Sequence, residues 1–150
     1  MSKTSQRLCA VYGATAVLAL IGTWHQNLNY FGAGGGFSEA NLKFWGDTLA
    51  NPASISITVD IFVFGLAATV WMVHEARRWQ VRFVWLYVLF GLLIAISVTF
   101  PLFLIARERR IASTPRPQGT PSTGFTPLDV IVLTVFGLGI VGFTCWTLSQ

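Results

Sequence analysis

Long apolar stretches alternate with short polar ones along this chain, and their lengths match membrane crossings. A hydrocarbon core about 30 Å thick takes roughly 20 residues of helix, with about 17 to 25 acceptable. Four stretches satisfy this: residues 8–24, without a charge after Arg7; 55–73, interrupted only by Asp60; 83–106, the most apolar, with Pro101 near its end; and 128–148, with Asp129 at its mouth. Each is bounded by Trp, Tyr, Arg or His, the residues of a headgroup belt. The pattern predicts an all-α membrane protein, a single domain over 1–150 with four transmembrane helices in a small bundle. The first stretch has a basic start at Lys3 and Arg7, yet its apolar run outlasts a signal peptide's. Bulky Trp24-His25-Gln26-Asn27 follows it, so it reads as a retained helix.

The connections differ in kind. Residues 25–54 open with Gly32-Ala33-Gly34-Gly35-Gly36, after which Ser38 is a candidate N-cap for a short helix. Leu42, Phe44, Trp45 and Leu49 would give that helix a lipid-facing side, so it is expected to lie in the interface between helices one and two. Pro52 suits the first turn of the next helix, where a missing N–H costs little. Residues 74–82 are few enough to make helices two and three an antiparallel hairpin. Residues 112–127, with Pro115, Pro117, Pro121 and Pro127, read as an extended Pro-rich linker.

Composition narrows the class further. Only 11% of the 150 residues are charged against 53% apolar, and mean hydropathy is +0.61. That is about half the charge of a soluble domain. The net charge of +4 sits beside apolar runs and not along a polar face, so no nucleic-acid partner is expected. Two cysteines, Cys9 and Cys145, make neither a disulfide framework nor a four-ligand zinc site. With four crossings, Lys3, Arg7, Arg77, Arg78 and Arg82 share one side. Lys43, Arg107, Arg109, Arg110 and Arg116 share the other, a tie that leaves orientation open. Weight on the first helix puts both termini in the cytoplasm. Insertion both ways round, as in small multidrug transporters, and an apolar stretch that does not cross are the alternatives.

Asp60 carries the most information, because a carboxylate inside a span costs about 2.5 to 3.5 kcal/mol and normally faces a partner or water. It is either an ion, proton or ligand contact or a hydrogen-bonded link between helices. Ser56, Asp60 and Phe64 share a helix face. Four crossings would bring Trp24, His25, Asn51, Ser54, Arg107 and Asp129 to that side, with Trp45 close by. Asp60, Asn51, Ser56, His25, Arg107 and Asp129 are therefore the candidate ligand or proton site. Trp24, Trp45, Trp79, Arg77, Arg78 and Arg82 are candidate membrane anchors, with Glu75 paired to Arg78 near the headgroups. His25 and His74 end successive helices, a bilayer apart, so no shared haem or copper is expected and no metal site is evident. No catalytic set or nucleotide-binding fingerprint appears. Small residues at Thr15, Ala19, Thr23, Gly65 and Thr69 favour close helix packing. Pro101 predicts a kink in helix three.

Residues 8–111 resemble a family of short bacterial membrane proteins known as a domain of unknown function. The resemblance rests on Asn51-Pro52-Ala53-Ser54, then Asp60, Glu75, Arg78, Trp85-Leu86-Tyr87-Val88, Pro101-Leu102-Phe103-Leu104 and Arg107-Glu108-Arg109. It implies a bacterial inner-membrane location, with three helices to which this chain adds a linker and a fourth. It implies no activity. From the residues, three readings stay open. One is a non-enzymatic accessory subunit, or a binder of an apolar ligand such as a lipid, quinone or pigment, with membrane lipids and other subunits or further copies as partners. The others are a proton-coupled transporter using Asp60 and a membrane enzyme acting on an isoprenoid or lipid.

Overall fold

The computed structural model describes residues 2–31, 36–113 and six positions between 131 and 145. Asp129 and nearly all of the expected linker and fourth helix lie outside the described residues. The six later positions, Ile131, Thr134, Val135, Leu138, Gly142 and Cys145, are helical and exposed. Among the described residues there is no strand.

The first helix, α1 (Lys3–Phe31), contains no proline. Its Thr15 and Thr23 hydroxyls donate back to the carbonyls of Val11 and Ala19 at 2.9 and 2.8 Å, so neither needs water in an apolar setting. The expected short helix is α2 (Phe37–Asp47), although it starts behind Gly36 without a side-chain cap and not at Ser38. It is tied to the end of α1 by the Tyr30 hydroxyl, which donates to Asp47 Oδ2 at 2.9 Å. The Phe31–Phe37 and Tyr30–Phe44 ring pairs add to that contact. Next comes α3 (Pro52–Trp79), with Pro at its start and Asn51 as N-cap. Asn51 Oδ1 accepts from Ser54 N at 3.0 Å while Ser54 Oγ accepts from Asn51 N at 3.2 Å. This reciprocal box satisfies two amides that the helix itself cannot.

The most apolar segment departs from expectation. It forms α4 (Val84–Phe90), a π-helical turn at Gly91–Ala95, and α5 (Ile96–Ser113). The rings of Tyr87 and Phe103 lie 5.7 Å apart although sixteen residues separate them. A straight helix would hold those positions about 24 Å apart. A Cβ built on Gly91 would meet Thr99 Oγ1 at 2.9 Å, again across a gap that only a reversal closes. The segment therefore folds back on itself, and α5 returns beside α4 to the end from which α4 set out. Val84 to Ile94 covers about 15 Å, half of a hydrocarbon core. Gly91 permits the reversal because any side chain there would strike Thr99, and a π-turn is a recognised place for a helix to bend. Pro101, expected to mark a kink, is buried inside α5.

Three helical stretches are long and apolar enough to cross a membrane, Lys3–Phe31, Pro52–Trp79 and Val84–Ser113, which makes this a membrane protein. The fold-back corrects the expectation that the third of them passes through. Both of its ends lie at the end of α3 marked by Glu75, since Val81, Val84 and Phe103 share one core with Met72 and Ala76. In this arrangement α5 is central, packed against α1, α3 and α4. Among the described residues, eight basic ones, Lys3, Arg7, Arg77, Arg78, Arg82, Arg107, Arg109 and Arg110, consequently gather at one end, with Lys43 at the other. The five-to-five tie held only for a through-going third helix.

Candidate functional site

Two charged groups stand out, and they contrast. Glu75, on the last turns of α3, is buried, with 5% of its side chain exposed. Its Oε2 accepts from Arg107 Nε at 2.6 Å and from Trp79 Nε1 at 3.0 Å. Its Oε1 faces Arg78 at 3.4 Å and His74 Nδ1 at 3.8 Å. Arg107, on α5, is 23% exposed and also donates from NH1 to Glu108 Oε1 at 3.2 Å. Glu108 Oε2 in turn accepts from Ser5 Oγ of α1 at 3.2 Å. The guanidinium of Arg107 lies 5.5 Å from the centre of the Trp71 ring, and Arg78 lies 5.4 Å from that of Trp79.

The network joins α1, α3 and α5 through charge-assisted hydrogen bonds, which are roughly twice as strong as neutral ones. Each Glu75 oxygen already faces donors, so the carboxylate is an acceptor fully engaged in holding helices together. A substrate would have to displace Arg107 or Trp79 to reach it. The geometry is that of a lock, and it explains why α5 returns to α3: an unpaired Glu75 or Arg107 in an apolar setting would cost several kcal/mol.

Asp60 is the reverse case. It lies on the exposed first half of α3, eight residues and about 12 Å past Pro52. Among the described residues no hydrogen bond or ion pair reaches it. Its neighbours Ile57, Val59, Ile61, Val63 and Phe64 are all more than half exposed. Ser56, one turn earlier, is exposed as well.

The other expected site residues scatter. Arg107 is paired with Glu75 at the opposite end of α3 from Asp60's half, which corrects the expectation that it faces Asp60. His25 is exposed on α1, and no contact joins it to Asp60 among the described residues. Asn51 is occupied as a helix cap. Asp129 lies outside the described residues. Of the expected anchors, Trp45 stacks on Phe62 at 5.8 Å and Trp24 is half-buried. Trp79 and Arg78 are instead parts of the Glu75 network, while Arg77 and Arg82 are exposed. Among the described residues no three His, Cys, Asp or Glu side chains are grouped to hold a metal ion.

Sequence reasoning missed the Glu75–Arg107 pair. The available signal is a pair of opposite charges, Glu75 and Arg107, flanking a long apolar run. The length of that run points to a crossing, which pairs Glu75 with Arg78 near the headgroups and puts Arg107 on Asp60's side.

Every member of the network except Ser5 lies in the stretch that matches a family profile. No curated protein and no solved structure matches the chain. The matched stretch is residues 11–109, about two thirds of the chain, and the chain belongs to the family described as protein of unknown function DUF2834.

Proposed function

We propose that this chain is a non-enzymatic accessory subunit of a membrane complex, and that the Asp60 face of α3 is where its partner docks. The observation behind this is the exposed Asp60, carried with Ser56 and Phe64 on an exposed face of α3, beside the point where Trp45 of α2 stacks on Phe62. An ionised carboxylate facing lipid costs about 2.5 to 3.5 kcal/mol, so that face favours a neighbour that supplies a donor. Charge selects the neighbour. A second copy related by a two-fold axis would set Asp60 against Asp60, whereas a transmembrane helix carrying Lys, Arg or His would neutralise it. The exposed Ile57, Ile61 and Phe64 supply apolar contact around the pair.

The location follows the same argument. Among the described residues, eight basic ones at the Lys3 end against Lys43 at the other favour a cytoplasmic side for the N-terminus, the α3–α4 turn and the end of α5, and a bacterial inner membrane is the location this reading adopts. Insertion both ways round loses its motive, since it rested on balanced charge. Proton-coupled transport and lipid chemistry both rest on Asp60 alone, with no second titratable group placed beside it among the described residues.

A photo-crosslinking amino acid at Phe64, in the full-length chain in native membranes, tests the reading. One discrete membrane partner is expected, carrying a cationic residue within a span, and the adduct should disappear in Asp60→Leu while the chain still folds. Adducts only with lipid or with a second copy, or an adduct indifferent to Asp60→Leu, would overturn the proposal.

A further inference from the structure

We propose that the turn between α3 and α4 is a binding site for an anionic phospholipid, with the phosphate held by Arg77 and Arg82 and one acyl chain lying in the groove between α4 and α5. The turn encloses a cleft of about 320 Å³ lined by Arg77, Gln80, Arg82, Phe83 and Trp85, among others. Its two arginines contrast with their neighbours. Arg78 is engaged by Glu75, but among the described residues Arg77 and Arg82 have no ion pair and no side-chain hydrogen bond. Two uncommitted cations over one cleft leave an anion to be supplied from outside.

The backbone of the turn is fixed by the ending of α3 and the start of α4. Gln80 and Phe83 adopt left-handed conformations, φ 53° and 60°, which side-chain-bearing residues rarely occupy. Such strain persists only where the surroundings enforce it. Here Val81 N donates to Ala76 O at 2.9 Å, and Gln80 Nε2 donates to Arg77 O at 2.9 Å. The result turns Phe83 and Trp85 outward, 72% and 59% exposed, beside the two arginines. Aromatic rings next to cations at the end of a span are the composition of a headgroup layer.

Just beyond Trp85 on the same helix begins a mainly apolar groove of about 280 Å³, lined by Leu86, Phe90, Ile94, Val98, Thr99 and Leu102, among others. From Leu86 to Ile94 it runs about 12 Å. A cleft carrying two arginines, with an apolar trough starting at the next residue of the same helix, suits a molecule with an anionic head and a hydrocarbon tail. Free phosphate would use only the first half, so the lipid is the ligand the two cavities together select. This inference does not depend on Asp60 or on any partner subunit.

The test is lipid retention by the full-length chain in mild detergent, measured by native mass spectrometry with phosphatidylglycerol and phosphatidylcholine offered together. Wild type should retain phosphatidylglycerol selectively. Arg77→Gln/Arg82→Gln should weaken retention by about thirtyfold, the combined effect of two basic residues near an anionic headgroup. Arg77→Lys/Arg82→Lys should keep most of it, and the charge-matched control Lys3→Gln/Arg7→Gln should behave as wild type. Equal retention of the two lipids, equal loss in the control, or displacement of phosphatidylglycerol by millimolar inorganic phosphate would overturn the proposal.

Discussion

If α4 and α5 fold back, Glu75 and Arg107 must be energetically coupled, and a double-mutant cycle measures that coupling directly. The perturbations are Glu75→Gln, which keeps the shape and removes the charge, and Arg107→Met, which keeps most of the aliphatic stem. Two unit charges 4 Å apart interact by about 4 kcal/mol at an effective dielectric of 20. Solvent reduces this, since Arg107 is 23% exposed, and Glu108 remains beside Arg107 at 3.2 Å after Glu75 is changed. Each single variant should then lose about 3 kcal/mol, the lower end for breaking a buried pair. The double variant should lose about 4 kcal/mol and not the additive 6, a coupling of about 2 kcal/mol. Unfolding by sodium dodecyl sulfate in mixed micelles, followed by tryptophan fluorescence, supplies the four free energies. A through-going helix would carry Arg107 about 35 Å from Val84, out of reach of Glu75. Coupling within about 0.5 kcal/mol of zero, the additivity of distant sites, would refute the fold-back.

Two further predictions probe the same reversal by other means. In a background free of Cys9 and Cys145, cysteines at Ser2 and Ser113 should react with a membrane-impermeant maleimide from one face of sealed vesicles, and a cysteine at Gly36 from the other; labelling of Ser2 and Ser113 from opposite faces would contradict it. Gly91→Ala should cost about 1 to 3 kcal/mol, the usual range for overpacking, because the new methyl meets Thr99 Oγ1 at 2.9 Å. Adding Thr99→Ala should recover part of that loss in the same unfolding assay, whereas strictly additive losses would mean that the two residues do not touch.

The sequence made some features plain and concealed others for physical reasons. Helical class and membrane residence follow from apolar runs, because lipid leaves backbone groups no partner outside a helix or a closed barrel. The start of α3 was likewise visible in Asn51-Pro52-Ala53-Ser54, since capping is a contact within four residues. The fate of residues 84–113 was not. Hydropathy records that a segment avoids water, and a helix that enters halfway and returns avoids it as well as one that crosses. What separates the two is contact across eight and sixteen residues, Gly91 with Thr99 and Tyr87 with Phe103, and no local pattern encodes such a meeting. The same gap misplaced Arg107. A crossing third segment would put Arg107 on Asp60's side and leave Glu75 near the headgroups with Arg78 alone.

Charge and fold then support each other in a way neither does alone. A through-going third segment would carry Arg107, Arg109 and Arg110 to the far side of the membrane, against the preference for keeping basic residues in the cytoplasm. Folding back leaves all three on the side where Lys3, Arg7 and Arg82 already lie. It also gives the one buried carboxylate of the region, Glu75, a cation from a helix that would otherwise end elsewhere. The reversal therefore meets three demands together: it keeps the arginines from crossing, it neutralises Glu75, and it buries Phe103 against Met72. Asp60 gains nothing from it. Of the two carboxylates set within α3, one is satisfied by the chain's own fold, and the other lies on an exposed helix face with no partner among the described residues, which is why the first reads as architecture and the second as an interface.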